Sequence, residues 1–274
     1  KASVILKDLA PFVPALSRFE EPLDLNLVFS GHGKHLDCPT LQLANHHGLM
    51  IAGEAALSNW DAGMDMYIYG KLGNLIMTKE GINVLMTNLT GKVPPILQRL
   101  DYIRFNGEAA GYLHDLTLTG LFYTGAGMVK TDVMMSIDEQ SMSRTYSGSV
   151  ASADLDLGKL LNQEKKFGKV DFNVELKGFN YKNRYPESYI KGIISSFEYS
   201  QYQYENIMLD GVYKDGGFNG RLSMDDANGS VQIDGNFNVA KTIPDFNLKA
   251  SVKNLRPHDL HLSDKYENAS ISLG

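Results

Sequence analysis

The residue types best suited to chemistry gather early in the chain: His32, His35 and Cys38, followed by His46 and His47. Imidazole and thiolate are zinc ligands that hold the metal at ~2.0–2.3 Å. Their spacing matches no zinc-finger pattern, and residues 31–38 are expected to form a polar loop between strands, so no metal is assigned. A second cluster, Asp225, Asp226 and Asn228 ahead of Gly229, carries the oxygen ligands that calcium takes. It lacks the alternating ligand positions and terminal glutamate of a calcium loop, and turn preferences account for these residue types. No phosphate-cradling glycine loop, Gly-x-Ser-x-Gly elbow or His-Glu-x-x-His pair occurs, and nothing marks a glycosidase-like carboxylate pair. Trp60 and the aromatic run 197–204 offer rings that stack on sugars, although the same residue types are strand formers. Eleven methionines suit either an adaptable apolar surface or an irregular core. The chain is therefore read as a non-enzyme, with no catalytic residue, cofactor or metal.

The 274 residues carry a net charge of −6, which argues against nucleic-acid binding because no basic excess is present to neutralise phosphates. One cysteine, Cys38, excludes an intrachain disulfide framework. No apolar run approaches the roughly 18–20 residues of a membrane-spanning helix. The chain opens on Lys1 in mid-pattern, without an initiator Met or a signal peptide, and is read as a piece of a longer protein whose anchor lies elsewhere.

Positioning falls to strands. In residues 218–253, Phe218, Leu222 and Met224, then Val231, Ile233 and Phe237, then Phe246, Leu248, Ala250 and Val252 alternate with polar residues. Successive strand side chains point to opposite faces, so this pattern predicts an antiparallel meander with one wet and one apolar face. Asn228-Gly229 is expected to supply positive φ for the first hairpin, and Pro244 lies in the second connection.

The same pattern recurs along the chain. Short helical connectors are predicted at 5–18, 78–88, 95–100, 155–162 and 255–260. Strands follow them, and Gly31, Gly107 and Gly178 are expected to close the first strand of each set, 76 and 71 residues apart (31 to 107, 107 to 178). This predicts a repeat architecture in one continuous β domain: residues 1–77, 78–154, a longer 155–254, and 255–274 opening a further repeat. The fold class is mainly β, an elongated, curved antiparallel repeat sheet with a few short helical connectors.

Each alternating strand shows about four large apolar side chains to one face, so leaving a strand face in water forfeits on the order of 6–12 kcal/mol. The predicted helices are too few to cover about fifteen strands, which would extend roughly 70 Å at ~4.8 Å per strand. The sheet is therefore expected to fold on itself around a dry interior, unless a non-protein ligand covers it.

Residues 209–238 resemble the TamB/AsmA-like family of bacterial envelope proteins, in its Bacteroidetes form. The likeness rests on Gly217-Phe218-Asn219-Gly220, the turn at Asp225-Asp226, Asp234-Gly235-Asn236-Phe237, and then Asp245-Phe246-Asn247-Leu248 with 255–260. The resemblance implies a protein anchored in the inner membrane and spanning the periplasm, built as a taco-like β-sheet with a hydrophobic groove. It implies phospholipid transport toward the outer membrane and support of outer-membrane protein assembly with a barrel partner. The anchor and the partner-binding domain would lie outside this chain.

Joined to the one-sided alternation, the resemblance makes phospholipid acyl chains the expected partner. The expected lining is Leu25, Leu27, Val133, Met135, Phe172, Val174, Leu222, Ile233, Phe237 and Leu248, acting by non-directional burial. Two alternatives stay open: a ligand-free structural spacer, and a carbohydrate-binding β protein marked by exposed aromatics.

Overall fold

The structure, a computed structural model, describes residues 2–9, 17–20, 22–138, 140, 141, 143–180, 187–238, 245–262 and 269–273. It is mainly β, and every strand pair whose register is described is antiparallel. Among the described residues sixteen strands follow one another in sheet order as they do in the chain. Packing divides the chain into two compact units, Lys1–Thr131 and Asp132–Gly274.

The first unit holds β1 (Ala2–Ile5), β2 (Pro22–His32), β3 (His35–Ala44), β4 (Leu49–Ser58), β5 (Tyr67–Thr78), β6 (Tyr102–Tyr112) and β7 (Asp115–Thr124). Between β5 and β6 stand α1 (Lys79–Thr90) and α2 (Pro95–Gln98). α1 starts where Thr78 caps it by accepting the Gly81 N–H at 3.2 Å, and it ends at Gly91, whose φ of 78° suits glycine. Pro95 opens α2, where its missing N–H removes no helical bond. The connector predicted at 5–18 includes a 3-10 turn at Leu6–Leu9, and residues 10–16 lie outside the described residues.

β8 (Gly127–Asp138) carries the division between the units. The second unit continues with β9 (Ser143–Asp156), α3 (Leu157–Leu161), β10 (Phe167–Asn180), β11 (Glu187–Tyr199) and β12 (Tyr202–Lys214). β13 (Gly217–Asp226), β14 (Gly229–Asn238), β15 (Asp245–Leu255) and β16 (Ala269–Leu273) complete it. Asp156 caps α3 by accepting the Lys159 N–H at 2.8 Å, and Asn162 ends the helix at φ 58°. Pro244 lies outside the described residues.

Two local expectations need correction, and a third is refined. Residues 31–38 are not a loop: β2 and β3 meet at a tight hairpin, with His32 paired to His35 and only Gly33 and Lys34 between them. The β13–β14 hairpin is tight and Gly229 has the expected positive φ, 143°, but Gly229 pairs with Asp226 inside the ladder, so the two turn residues are Ala227 and Asn228. The Asp226 carboxylate shapes that turn by accepting the Asn228 N–H at 2.9 Å, an Asx-type contact. Gly107 and Gly178 do not close strands, since β6 and β10 run past them. Their role is close approach. A Cβ on Gly107 would stand 2.3 Å from the Thr119 carbonyl oxygen and 2.7 Å from the Phe105 ring, and one on Gly178 would meet the Tyr146 ring.

The core is sparse for so apolar a chain. Although 43% of the sequence is hydrophobic, twelve hydrophobic side chains are buried among the described residues. In the first unit they are Leu23, Leu49, Ile82, Leu100, Ile103, Phe105 and Ala126. In the second they are Leu155, Val170, Tyr204, Met224 and Leu260.

Candidate functional site

Register converts the alternating strands into rows of side chains that cross the sheet. In the second unit one row runs Phe172, Ile194, Ile207, Met224, Val231, Val252 from β10 to β15. The next runs Val174, Gly192, Leu209, Leu222, Ile233, Ala250, and the one beyond it Leu176, Ile190, Gly211, Gly220, Gly235, Leu248. A fourth brings Tyr213, Phe218, Phe237 and Phe246 side by side, with the Phe218 and Phe237 rings 5.7 Å apart. These rows share one face, because each is displaced from the next by two residues along every strand.

The first unit repeats the arrangement. Leu25, Leu43, Ile51, Leu75, Phe105 and Phe122 form one row, and Leu27, Leu41, Gly53, Leu72, Gly107 and Gly120 the next. Bulges in β2–β3, β3–β4, β4–β5 and β5–β6 shift the register locally.

The opposite face is built for water. In the second unit Glu175, Lys191, Asp210, Arg221, Asp234 and Lys249 form a cross-strand ladder of alternating charge. Within it Arg221 reaches Asp234 at 3.1 Å and Lys191 reaches Asp210 at 3.8 Å. Exposed pairs of this kind contribute ~0–1 kcal/mol each, so the ladder fixes register and solubility more than stability. Glu54, Lys71 and Glu108 make a shorter ladder in the first unit.

The ten residues expected to line a groove fall on the apolar face of their own units. Leu25 and Leu27 lie in the two rows of the first unit, and Phe172, Val174, Leu222, Ile233, Leu248 and Phe237 in the four rows of the second. Val133 stands across from Gly148, in line with Leu176, and Met135 lies two residues further along the same strand. None of the ten is buried. Leu27 is 39% exposed and Met135 48%, so protein packing leaves much of this face uncovered.

Cover comes from the connectors, at one end of the strands. Ile82 of α1 is 1% exposed, and α1 packs against β5, β6 and α2. α1 is tied to the β3–β4 turn by the Thr78 hydroxyl, which donates to the His47 carbonyl at 2.9 Å, and by His47 Nδ1 at 2.7 Å from Glu80 Oε1. In the second unit residues 256–262 bring Leu260, fully buried, onto Tyr204 and Met224, with Phe197, Tyr199, Tyr202, Ile207, Val231 and Leu255 around them. The Tyr204 hydroxyl donates to the Leu260 carbonyl at 2.7 Å, and His261 Nδ1 lies 2.8 Å from the Ser200 carbonyl oxygen. Burial, aided by the hydrogen bond to Asp226, pushes the Tyr202 hydroxyl up to about 12.

The zinc-type residues take other roles. His35 lies 2.7 Å from Ser58 Oγ through Nδ1 and 2.9 Å from Asp37 Oδ2 through Nε2, on a half-exposed polar edge where water competes for both contacts. The Cys38 thiol donates to the Thr40 carbonyl at 3.2 Å. Among the described residues no group of three or more His, Cys, Asp and Glu side chains is placed to hold a metal ion, and no helix is long and apolar enough to cross a membrane. Trp60 is 58% exposed after β4. The aromatic run 197–204 packs inward, with Phe197, Tyr199 and Tyr204 rings 6.2–6.5 Å apart. No sequence pattern pointed to Ile82 or Leu260 as covers; the signal available was their place in apolar connectors that follow a strand.

No protein family, curated protein or solved structure matches the chain.

Proposed function

We propose that the apolar face binds phospholipid acyl chains, and that the chain serves as a periplasmic, TamB/AsmA-like segment along which lipid moves toward the outer membrane. The observation that carries this reading is the pair of opposed faces: apolar rows cross strand after strand with none of the ten lining residues buried, while the other face bears charge ladders. Acyl chains fit such a surface because they are bound by non-directional burial, worth about 0.8 kcal/mol per methylene, and need no polar anchor. Continuity of the rows would let a chain slide from one strand to the next without crossing a polar barrier. Curling of the sheet into a groove belongs to the same reading, as do an inner-membrane anchor and a barrel partner supplied by parts outside this chain.

The test replaces Leu222, Ile233 and Leu248 together by Asp. The half-buried positions keep the ladder bonds, so circular dichroism should stay strand-rich, while uptake of fluorescent phosphatidylethanolamine should fall to background. Intact folding with unchanged uptake would sink the proposal.

A further inference from the structure

We infer that the apolar face is polarised along its strands, so that a bound acyl chain points its tail toward the connectors and its polar end toward the hairpins; this rests on the lipid-binding reading above. In each unit the buried hydrophobic side chains lie at one end of that unit's strands, the end that carries its connectors. In the first unit Leu23 lies near the start of β2 and Ile103 near the start of β6, with Ile82 in a connector; in the second Leu155 lies near the close of β9 and Met224 near the close of β13, with Leu260 in a connector. At the opposite end of each unit's strands apolar side chains stand open: Phe29, where β2 nears β3, is 66% exposed, and Phe246, at the start of β15, is 59% exposed.

That gradient matches an amphiphile. Methylenes that reach the connector end meet surface already shielded from water, and a polar head placed there would be desolvated next to a Tyr204 hydroxyl committed to Leu260. At the hairpin end of the first unit, Trp60 is exposed in the connection between β4 and β5. Rings with an apolar body and a polar tip suit such a boundary. Length agrees as well: the seven residues from Phe218 to Met224 span about 20 Å along β13, against about 15 Å for the acyl layer of one leaflet.

Trp60 is the single tryptophan and sits at the hairpin end, so the unmodified protein reports the orientation. The protein is loaded with phosphatidylcholine bearing a nitroxide either on the headgroup or near the terminal methyl, and bound lipid is counted by extraction. The headgroup probe should remove most of the Trp60 emission and the terminal probe little. In a Trp60→Phe, Phe122→Trp variant, with its indole in the apolar row of the first unit and toward the connector end of β7, the order should reverse. Bound lipid that quenches both positions alike, or in the opposite order, overturns the orientation and leaves the binding proposal standing. Absence of bound lipid overturns both.

Discussion

The Tyr204 hydroxyl donates a 2.7 Å hydrogen bond to the carbonyl of Leu260, 56 positions away in the chain. With it the segment after β15 is fixed over Met224, and Leu260 becomes the side chain with no exposed surface. Leu260→Ala should destabilise the second unit by ~2–4 kcal/mol, as truncation of a buried leucine does. Tyr204→Phe removes one buried bond and leaves the ring, so it should cost about 1–2 kcal/mol. Urea unfolding measures both, and hydrogen exchange in β12 and β13 should rise before exchange in β6 and β7. An effect below ~0.5 kcal/mol for Leu260→Ala would show that the connector is not part of the packed core.

Ile82 has the corresponding place in the first unit. Ile82→Ala should cost ~2–4 kcal/mol and should speed proteolysis within residues 79–98, while cleavage of the second unit stays slow. Uniform acceleration across both units would contradict their description as separately packed.

Alkaline pH should loosen the Leu260 cluster. Burial and the bond to Asp226 raise the Tyr202 hydroxyl from its ordinary value of 10.0 to about 12. The folded state therefore holds a proton that the unfolded chain releases first. The associated stability is complete below pH ~10 and is lost as pH climbs toward 12. Tyr202→Phe should flatten the fall in melting temperature across that window. A wild-type curve as flat as the variant's would refute the assignment.

Glycine roles separate by position. A Cβ on Gly107 would meet the Thr119 carbonyl oxygen at 2.3 Å, so Gly107→Ala should cost ~1–3 kcal/mol through backbone displacement. Around Gly70 nothing lies within 4 Å, so Gly70→Ala should be neutral or stabilise by ~0.5–1 kcal/mol. Chemical denaturation of the two variants side by side decides this; equal costs would remove the close-approach argument.

Much of the fold was legible because strand alternation is a local signal. Phe218, Leu222 and Met224 announced β13, and Val170, Phe172, Val174 and Leu176 announced β10, since period-two patterns need only neighbouring residues. The positive φ expected of Asn228-Gly229 is found at Gly229, at 143°, while the turn residues depend on the pairing of Asp226 with Gly229 and on the Asx contact, which make the turn Ala227-Asn228. The expectation that Gly107 and Gly178 close strands follows from glycine's tendency to punctuate loops. At Gly107 and Gly178 the reason for glycine is a neighbouring backbone and an aromatic ring, neither of which is adjacent in sequence. The apolar face could be foreseen residue by residue, but its partial cover could not, since Tyr204 and Leu260 meet only through the connection after β15.

The most direct measurement is native mass spectrometry of the unmodified protein purified from a bacterial host, with organic extraction of whatever accompanies it. The account predicts bound phospholipid, heterogeneous in acyl composition, because rows of half-exposed aliphatic and aromatic side chains select for apolar length rather than for a headgroup. A clean protein mass that stays unchanged after incubation with added phospholipid would contradict it, and would leave the sheet as a ligand-free spacer.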